Sequence, residues 1–415
     1  MKFELMKTIL QSILRYLTEL LIWKYKPTVI AITGSVGKTS AKEAVFVVLK
    51  GGYYARRSLE NYNNEFGVPL TVIGSRAGGR NPFSWLVILL KALLYFVFPL
   101  PYPEVLILEM GADRPGDIGY LTSLAKPFIS VVTAVGPSHL EFFDRIESIA
   151  EEKSKIVSSL HKKGKAVLNY DDPYAQAMAA KHKGSVIYYG FDQDADLKAA
   201  DVFYSPSGIT FKVHFRGNVV PVHLPGALGS PNVYAALAAA GVGIAMGVNL
   251  VDIGKALESY VSPPGRLRVL PGVKSTLILD DTYNSAPASA LAALEALSRL
   301  PARRKIAVLG DMAELGDLTE DGHRMVGVGA VDQGVNYLVA VGPKSKFIAD
   351  QARHMGYPEK QILYFDTADE AKKPVENLIQ PNDAILVKGS RSMRMEKIVR
   401  EIMLEPHRAG ELLVG

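Results

Sequence analysis

The sequence predicts an α/β protein of two sheet-bearing units, the first with a mostly parallel sheet plus a small antiparallel one. Three observations predict it. A short apolar strand, Val29-Ile30-Ala31-Ile32, runs directly into a glycine-rich turn and a helix from about Ser40. Val105–Leu108 and Ile129–Val132 have the continuous Val/Ile/Leu character of strands covered on both faces. Beyond Pro263-Pro264-Gly265, a linker by composition, the alternation of strand and helix starts again.

In chain order, residues 1–26 read as an amphipathic helix. Leu5, Ile9, Ile13, Leu17, Leu20 and Leu21 recur at helical spacing, and Pro27 ends the run. Residues 27–263 form the first unit, with an apolar insertion at 76–103. The insertion's core, 83–98, is short for a membrane-spanning helix, which needs ~20 residues. Residues 185–224 alternate apolar and polar, with Gly208 and Gly217 at turns, and predict the antiparallel strands. In 264–415, strands at Thr276–Leu279, Lys305–Leu309, Leu338–Val341 and Ala384–Val387 alternate with Ala-rich helices such as Ala288–Leu300, a Rossmann-like arrangement.

The 415 residues are 48% hydrophobic and 21% charged, enough apolar material for two cores. A net charge of +5, with no basic stripe interleaved with aromatics, argues against a nucleic-acid partner. With no cysteine there is no disulfide, thiolate metal site or cysteine nucleophile. Lys2, Glu4, Lys7, Arg15 and Glu19 interrupt the apolar positions of the first helix, and no small-residue cleavage site follows it. That pattern is not a secretory signal, and the expected compartment is the cytoplasm.

Thr33-Gly34-Ser35-Val36-Gly37-Lys38-Thr39-Ser40 carries the clearest chemistry. Backbone N–H groups of such a turn surround phosphate oxygens, and the helix N-terminus adds positive potential. Lys38 would neutralise the transferring phosphates and the Thr39 hydroxyl would hold Mg²⁺. Ile32 stands where the common phosphate-loop spacing has glycine. A plain βα turn is the alternative, weakened by the strand before the loop and the Gly-Lys-Thr inside it. Glu109 ends a strand, where an open α/β sheet places ligands, and a carboxylate there can hold Mg²⁺. In Ser138-His139-Leu140-Glu141, His139 follows another strand end; taken alone, such a histidine is as readily structural as metal-binding.

Six segments in order resemble the Mur ligase family: Thr33–Ser40; Asn61-Tyr62-Asn63-Asn64-Glu65-Phe66-Gly67-Val68-Pro69; Glu109-Met110-Gly111-Ala112; Asp280-Asp281-Thr282-Tyr283-Asn284; Gly310–Gly316; and Lys388-Gly389-Ser390-Arg391. The resemblance covers residues 28–405 and is strongest to the dipeptide-adding branch. It implies an ATP-dependent amide ligase that works through an acyl phosphate and adds D-Ala-D-Ala to a muramyl-peptide precursor in peptidoglycan synthesis. The implied cofactors are ATP and two Mg²⁺ ions, held by Thr39, Glu109, His139 and a carbamoylated Lys153; Lys155, two residues on, competes for that last role. The catalytic set implied is Lys38, Glu109, His139, Lys153 and Arg266, with Arg266 on the ATP phosphates. The nucleotide side adds Gly34, Ser35, Val36, Gly37, Ser40, Asn232, Asp281 on the ribose, Tyr283 and Asn284. Asn232 also fits a helix N-cap. Asn61, Asn63, Asn64, Lys388 and Arg391 are implied substrate contacts, the last two from a loop after a strand. Ala286 departs from the family's Ala-Asn-Pro.

Two further departures bear on the acceptor. The loop begins at residue 34, where the family carries a UDP-binding domain ahead of it, so that domain is expected to be lacking and the acceptor's carrier, UDP or lipid, stays open. The apolar insertion is the second. Together with helix 1–26 it suggests peripheral contact with a membrane or a partner protein through 1–26 and 83–98, at the inner membrane face, beside the small-molecule precursor and dipeptide. A folylpolyglutamate synthase-like ligase with another amine, or a non-catalytic ATP-binding subunit, are the other readings. The set Lys38, Glu109, His139 and Lys153 speaks against the second.

Overall fold

The computed structural model describes residues 2–59, 62–136 and 142–415. Its first helix, α1 (Lys2–Tyr25), precedes β1 (Thr28–Thr33), which leads through the glycine-rich loop into α2 (Lys38–Leu49). β2 (Ala55–Arg57), α3 (Gly67–Ile73), α4 (Pro82–Val97) and β3 (Val105–Glu109) follow. Next come α5 (Asp117–Leu124), β4 (Ile129–Val132), α6 (Ile146–Ser158), β5 (Lys165–Asn169), α7 (Pro173–Ala177) and β6 (Ser185–Gly190). Three longer strands, β7 (Leu197–Ser205), β8 (Gly208–Phe215) and β9 (Asn218–Pro225), lead to α8 (Ser230–Ala245) and α9 (Leu250–Leu257).

All nine strands join one sheet in the order β2-β3-β1-β4-β5-β6-β7-β8-β9. The antiparallel strands β7, β8 and β9 extend the edge of the parallel part. β1 lies between β3 and β4, so the strand order reverses on either side of it, and the loop after β1 opens at that switch point. β1 is buried on both faces. Ile30 and Ile32 pack with α2 and α8 on one side, and Val29 and Ala31 with the helices on the other.

The second sheet is built from β10 (Arg268–Pro271), β11 (Leu277–Asp281), β12 (Lys305–Gly310), β13 (Tyr337–Val341), β14 (Ile362–Phe365) and β15 (Ala384–Lys388). α10 (Pro287–Ser298) and α11 (Thr319–Asp332) flank it. The order β10-β11-β15-β12-β13-β14 is parallel except at the β10 edge. β11 reaches two residues further than the sequence suggested, so Asp280 and Asp281 are strand residues and not part of the following loop.

The first helix buries only the C-terminal part of the expected stripe, Leu21 with Leu17 and Leu20 half-buried, and adds positions outside it. Leu14, Thr18 and Leu21 are fully buried, whereas Ile9 and Ile13 are 51% and 40% exposed. α1 is apolar on two sides, and periodicity alone could not choose between them. The apolar insertion forms α4, capped by Asn81, whose side chain accepts from the Phe83 N–H. α4 packs on α1, and Lys24 donates to the carbonyls of Tyr95 and Phe96 at its C-terminal end, both at 2.8 Å. Among the described residues no helix is long and apolar enough to cross a membrane.

Candidate active site

The loop after β1 is shaped by two glycines. Gly34 has φ +150°, and a Cβ there would lie 1.9 Å from Thr133 Oγ1; Gly37, at φ +87°, opens α2 with no side-chain cap. No side chain therefore caps the α2 N-terminus, whose first residues, Lys38 and Thr39, line the cleft. Bonds to the segment after β4 fix the loop. Ser35 N donates to Ala134 O at 2.7 Å, Ser35 Oγ to Gly136 O at 2.9 Å, and Thr133 Oγ1 to Val36 O at 2.5 Å. Ser40 is buried, its hydroxyl against that of Tyr260. Lys38 Nζ donates to Gly34 O at 2.7 Å. Burial holds the Lys38 pKa below its ordinary value; Glu109 opposes that shift and Arg266 adds to it.

β3 stands beside β1 with Glu109 opposite Ile32, which brings its carboxylate to the α2 N-terminus. Glu109 is 2% exposed, and Thr39 Oγ1 donates to its Oε2 at 3.1 Å. Lys42, one turn after Lys38, puts its ammonium 3.9 Å from the same oxygen. Sequence reading missed Lys42; the signal was a lysine among Ala41, Ala44 and Val45 on a face otherwise committed to the core. Lys153, on α6, is 2% exposed, with no hydrogen-bond partner among the described residues. Burial pushes its pKa down to about 7; Lys38 adds to the shift, and Asp113 and Glu152 oppose it. Lys155 is partly exposed and pairs with Glu152 at 2.5 Å. The two lysines that the sequence left in competition thus differ sharply in environment. Among the described residues no group of three or more His, Asp or Glu gathers at a point. His139 and Asn61 lie outside the described residues.

The second sheet closes the other side. The Arg266 guanidinium lies 3.9 Å from the centre of the Tyr283 ring. Its carbonyl accepts from Ser262 Oγ at 2.5 Å and from Asn232 Nδ2 at 3.4 Å. Asn232 is the third residue of α8, and the N-cap is Gly229. The Asn232 amide also donates to Leu228 O at 2.7 Å and accepts from Tyr260 Oη at 2.9 Å, so it ties α8 to the linker and does not cap the helix. Asp280, fully buried, accepts from Gly265 N at 2.9 Å and holds the linker from the other side; burial pushes its carboxyl up to about 6.

Lys388 is not on a loop, as the sequence suggested. It is the last residue of β15, 2% exposed, because parallel pairing sets it opposite Asp281. Its ammonium donates to Asp281 Oδ2 at 2.6 Å and Asn284 O at 2.8 Å, while Leu267 N donates to Asp281 Oδ1 at 3.1 Å. Asp281, Asn284 and Lys388 line a small pocket of about 110 Å³ with Val36, Gly37 and Asn232. Asn64 is a turn residue, its Oδ1 accepting from Gly67 N at 2.9 Å at the start of α3.

A cleft of about 540 Å³ joins the two sides, lined by Lys38, Thr39, Glu109, Arg266, Tyr283, Asn63, Asp113, Glu314 and Arg391. Asp113 was missed in the sequence, although it directly follows Glu109-Met110-Gly111-Ala112. Glu314 is held at φ +63° by the segment before α11. That segment is pinned by buried His323, whose Nε2 accepts from Met312 N at 3.0 Å while its other nitrogen faces Thr319 O at 2.6 Å. Asn63, Asp113 and Glu314 also line a neighbouring polar basin of about 650 Å³, whose far wall is Lys7 and Gln11 of α1 with Arg114.

Comparison with known proteins agrees with this geometry. The Mur ligase middle domain profile matches residues 94–243, and the Mur ligase glutamate ligase domain profile matches residues 265–391. UDP-N-acetylmuramoyl-tripeptide–D-alanyl-D-alanine ligase of Buchnera aphidicola is 31% identical over 385 residues, 92% of this chain and 76% of that protein. Its Bacillus subtilis counterpart is 30% identical over 381 residues, 91% and 76% of the two chains. The MurF ligase of Thermotoga maritima, solved in complex with ADP, superposes with a TM-score of 0.80 at 27% identity, covering 97% of this chain and 84% of that one.

Proposed function

The chain belongs to the Mur ligase family of ATP-dependent amide-bond-forming enzymes, and we propose that it joins D-alanyl-D-alanine to a muramyl tripeptide through an acyl phosphate. The observation that carries this reading is the convergence of Lys38, Glu109, Arg266 and Arg391 on one cleft at the carboxyl ends of β1 and β3.

ATP would lie with its nucleoside in the pocket of Asp281, Asn284 and Lys388 and its phosphates on the loop at 34–40. Lys38 and Arg266 then face the transferring phosphoryl group from two sides. The donors fit Mg²⁺: a buried carboxylate, Glu109, with the Thr39 hydroxyl beside it, is the all-oxygen set a hard cation takes. Two Mg²⁺ ions would take His139 and a carbamate on Lys153 as further ligands beside these oxygens. When bound they would neutralise charge on the phosphates. Lys153 suits carbamate formation because burial leaves its amine largely neutral at pH 8, and only the neutral amine attacks CO₂.

The acceptor carboxylate takes the γ-phosphoryl group, the dipeptide amine attacks the acyl carbon, and phosphate leaves. Positioning and fixed positive charge do most of this work. The polar basin beside Asn63 is the acceptor's place, and Arg391 suits the dipeptide carboxylate. Asn64 lines that basin and Lys388 the nucleoside pocket, and each would also hold its neighbours in place, Asn64 the turn before α3 and Lys388 the Asp281 carboxylate. The enzyme would work in the cytoplasm or at the inner membrane face, with 1–26 and 83–98 as the contacting segments.

The test is ADP release measured with ATP, Mg²⁺, a muramyl tripeptide and D-alanyl-D-alanine. Release that requires the tripeptide supports the reading. Release indifferent to both substrates removes it.

A further inference from the structure

α4 is apolar apart from Ser84 and Lys91, yet the fold uses one side of it. Ile88 and Ala92 are buried, and Trp85 and Leu89 half-buried, within the core shared with α1 and α3. The opposite side carries Phe83, Leu86, Leu90, Leu93, Leu94 and Val97 at three- and four-residue spacing, each 48–70% exposed. Alongside, α1 leaves Met6, Ile9, Ile13, Tyr16 and Trp23 outside. A continuous apolar patch of this extent is seldom left in water.

Charge selects the occupant. From residue 66 to 103 the chain has no Asp or Glu, and its cations are Arg76, Arg80 and Lys91. Lys91 turns inward, donating to Gly74 O. Arg76 and Arg80 are exposed just ahead of α4, and Lys26 is exposed at the other end, beyond Lys24. On α1, Glu19 is paired with Arg15 at 2.9 Å. An apolar helix face with cations at both ends and no acid on it matches an interfacial helix, with side chains at the acyl boundary and cations among anionic headgroups. A helical protein partner would instead be matched by charged positions flanking the stripe, and the one charged residue of α4, Lys91, turns inward. At 1.5 Å per residue α4 spans roughly 24 Å, too little to cross a bilayer but enough to lie in its surface.

We propose that the protein docks peripherally on an anionic bilayer through the outer faces of α4 and α1. α1 also supplies Lys7 and Gln11 to the polar basin that adjoins the reaction cleft. One consequence rests on the ligase reading: a docked enzyme receives an acceptor carried on a lipid without the acceptor leaving the membrane surface.

Flotation of the full chain with phosphatidylcholine vesicles, with and without one part in four phosphatidylglycerol, tests the docking. The protein should rise with the anionic vesicles and bind them at least about tenfold more than the neutral ones. Leu90→Glu/Leu94→Glu and Arg76→Glu/Arg80→Glu should each cut binding by about tenfold or more, with unchanged thermal melting. A wild-type chain that stays at the bottom of the gradient overturns the proposal. So does a dimer in light scattering that Leu90→Glu/Leu94→Glu converts to monomer without any flotation, since the face would then belong to a second copy. A protein that floats but releases no ADP with its substrates keeps the docking and removes the ligase reading.

Discussion

Asp281 and Lys388 stand opposite each other in the parallel pairing of β11 with β15, and the lysine ammonium donates to the carboxylate across 2.6 Å. Both side chains are nearly buried, at 9% and 2% exposure. The pair therefore holds the floor of the pocket proposed for the nucleoside. Lys388→Met should leave the Asp281 charge with a backbone donor and little else. The expected loss is about 3–5 kcal/mol in urea unfolding, with a raised KM for ATP. If the variant unfolds at the wild-type midpoint, the pair is not structural.

Lys38→Ala should lower kcat by about 10³-fold or more if, as proposed, its charge acts on the transferring phosphoryl group. The fold should not suffer, since burial already disfavours the ammonium in the free protein. Circular dichroism and single-turnover ADP release together check both halves.

Gly34→Ala should cost the phosphate site more than the fold. The new Cβ meets Thr133 Oγ1 at 1.9 Å, and the backbone at φ +150° is one that alanine rarely adopts. The loop must shift and lose its bond from Thr133 to Val36. Calorimetric titration should show ATP affinity down by about tenfold or more, at roughly 1–3 kcal/mol for the strain.

Lys153 gives a pH dependence with a definite sign. Its folded pKa is lowered to about 7, while the unfolded chain keeps the proton to about 10.4. Between those values the unfolded state binds more protons, so stability of the CO₂-free protein should rise with pH from 7 toward 10. Lys153→Met should flatten that slope. With ¹³C-bicarbonate, a carbamate resonance should be present at pH 8, weak at pH 6 and absent in Lys153→Ala, whose activity short carboxylic acids should partly restore. No resonance at pH 8 would remove the carbamate.

The strand, glycine-rich loop and helix at the site were legible because the pattern is local: β1, Gly34, Gly37-Lys38-Thr39 and α2 lie within one stretch of chain. Glu109 was legible because a strand end is marked by the residues before it. Lys388 was misplaced because its surroundings come from the register between β11 and β15, strands separated by most of the second unit. For Asn232 a cap stood beside the nucleotide contact because Asn before an Ala-rich run is ambiguous; the helix start is fixed by Gly229 at φ +80°, which removes the cap. The choice between Lys153 and Lys155 needed the helix's orientation, since α6 turns one lysine into the core and the other toward solvent. In α1, both apolar stripes were in the sequence, and only packing against α3 and α4 decided which was buried.

The most direct test of the account is mass spectrometry of the product formed from ATP, Mg²⁺, D-alanyl-D-alanine and a muramyl tripeptide, offered on UDP and on a lipid carrier. The account predicts a product heavier than the acceptor by one dipeptide less water, formed with one ADP each and absent in Lys38→Ala. ATP consumed with no mass added to either acceptor would contradict it.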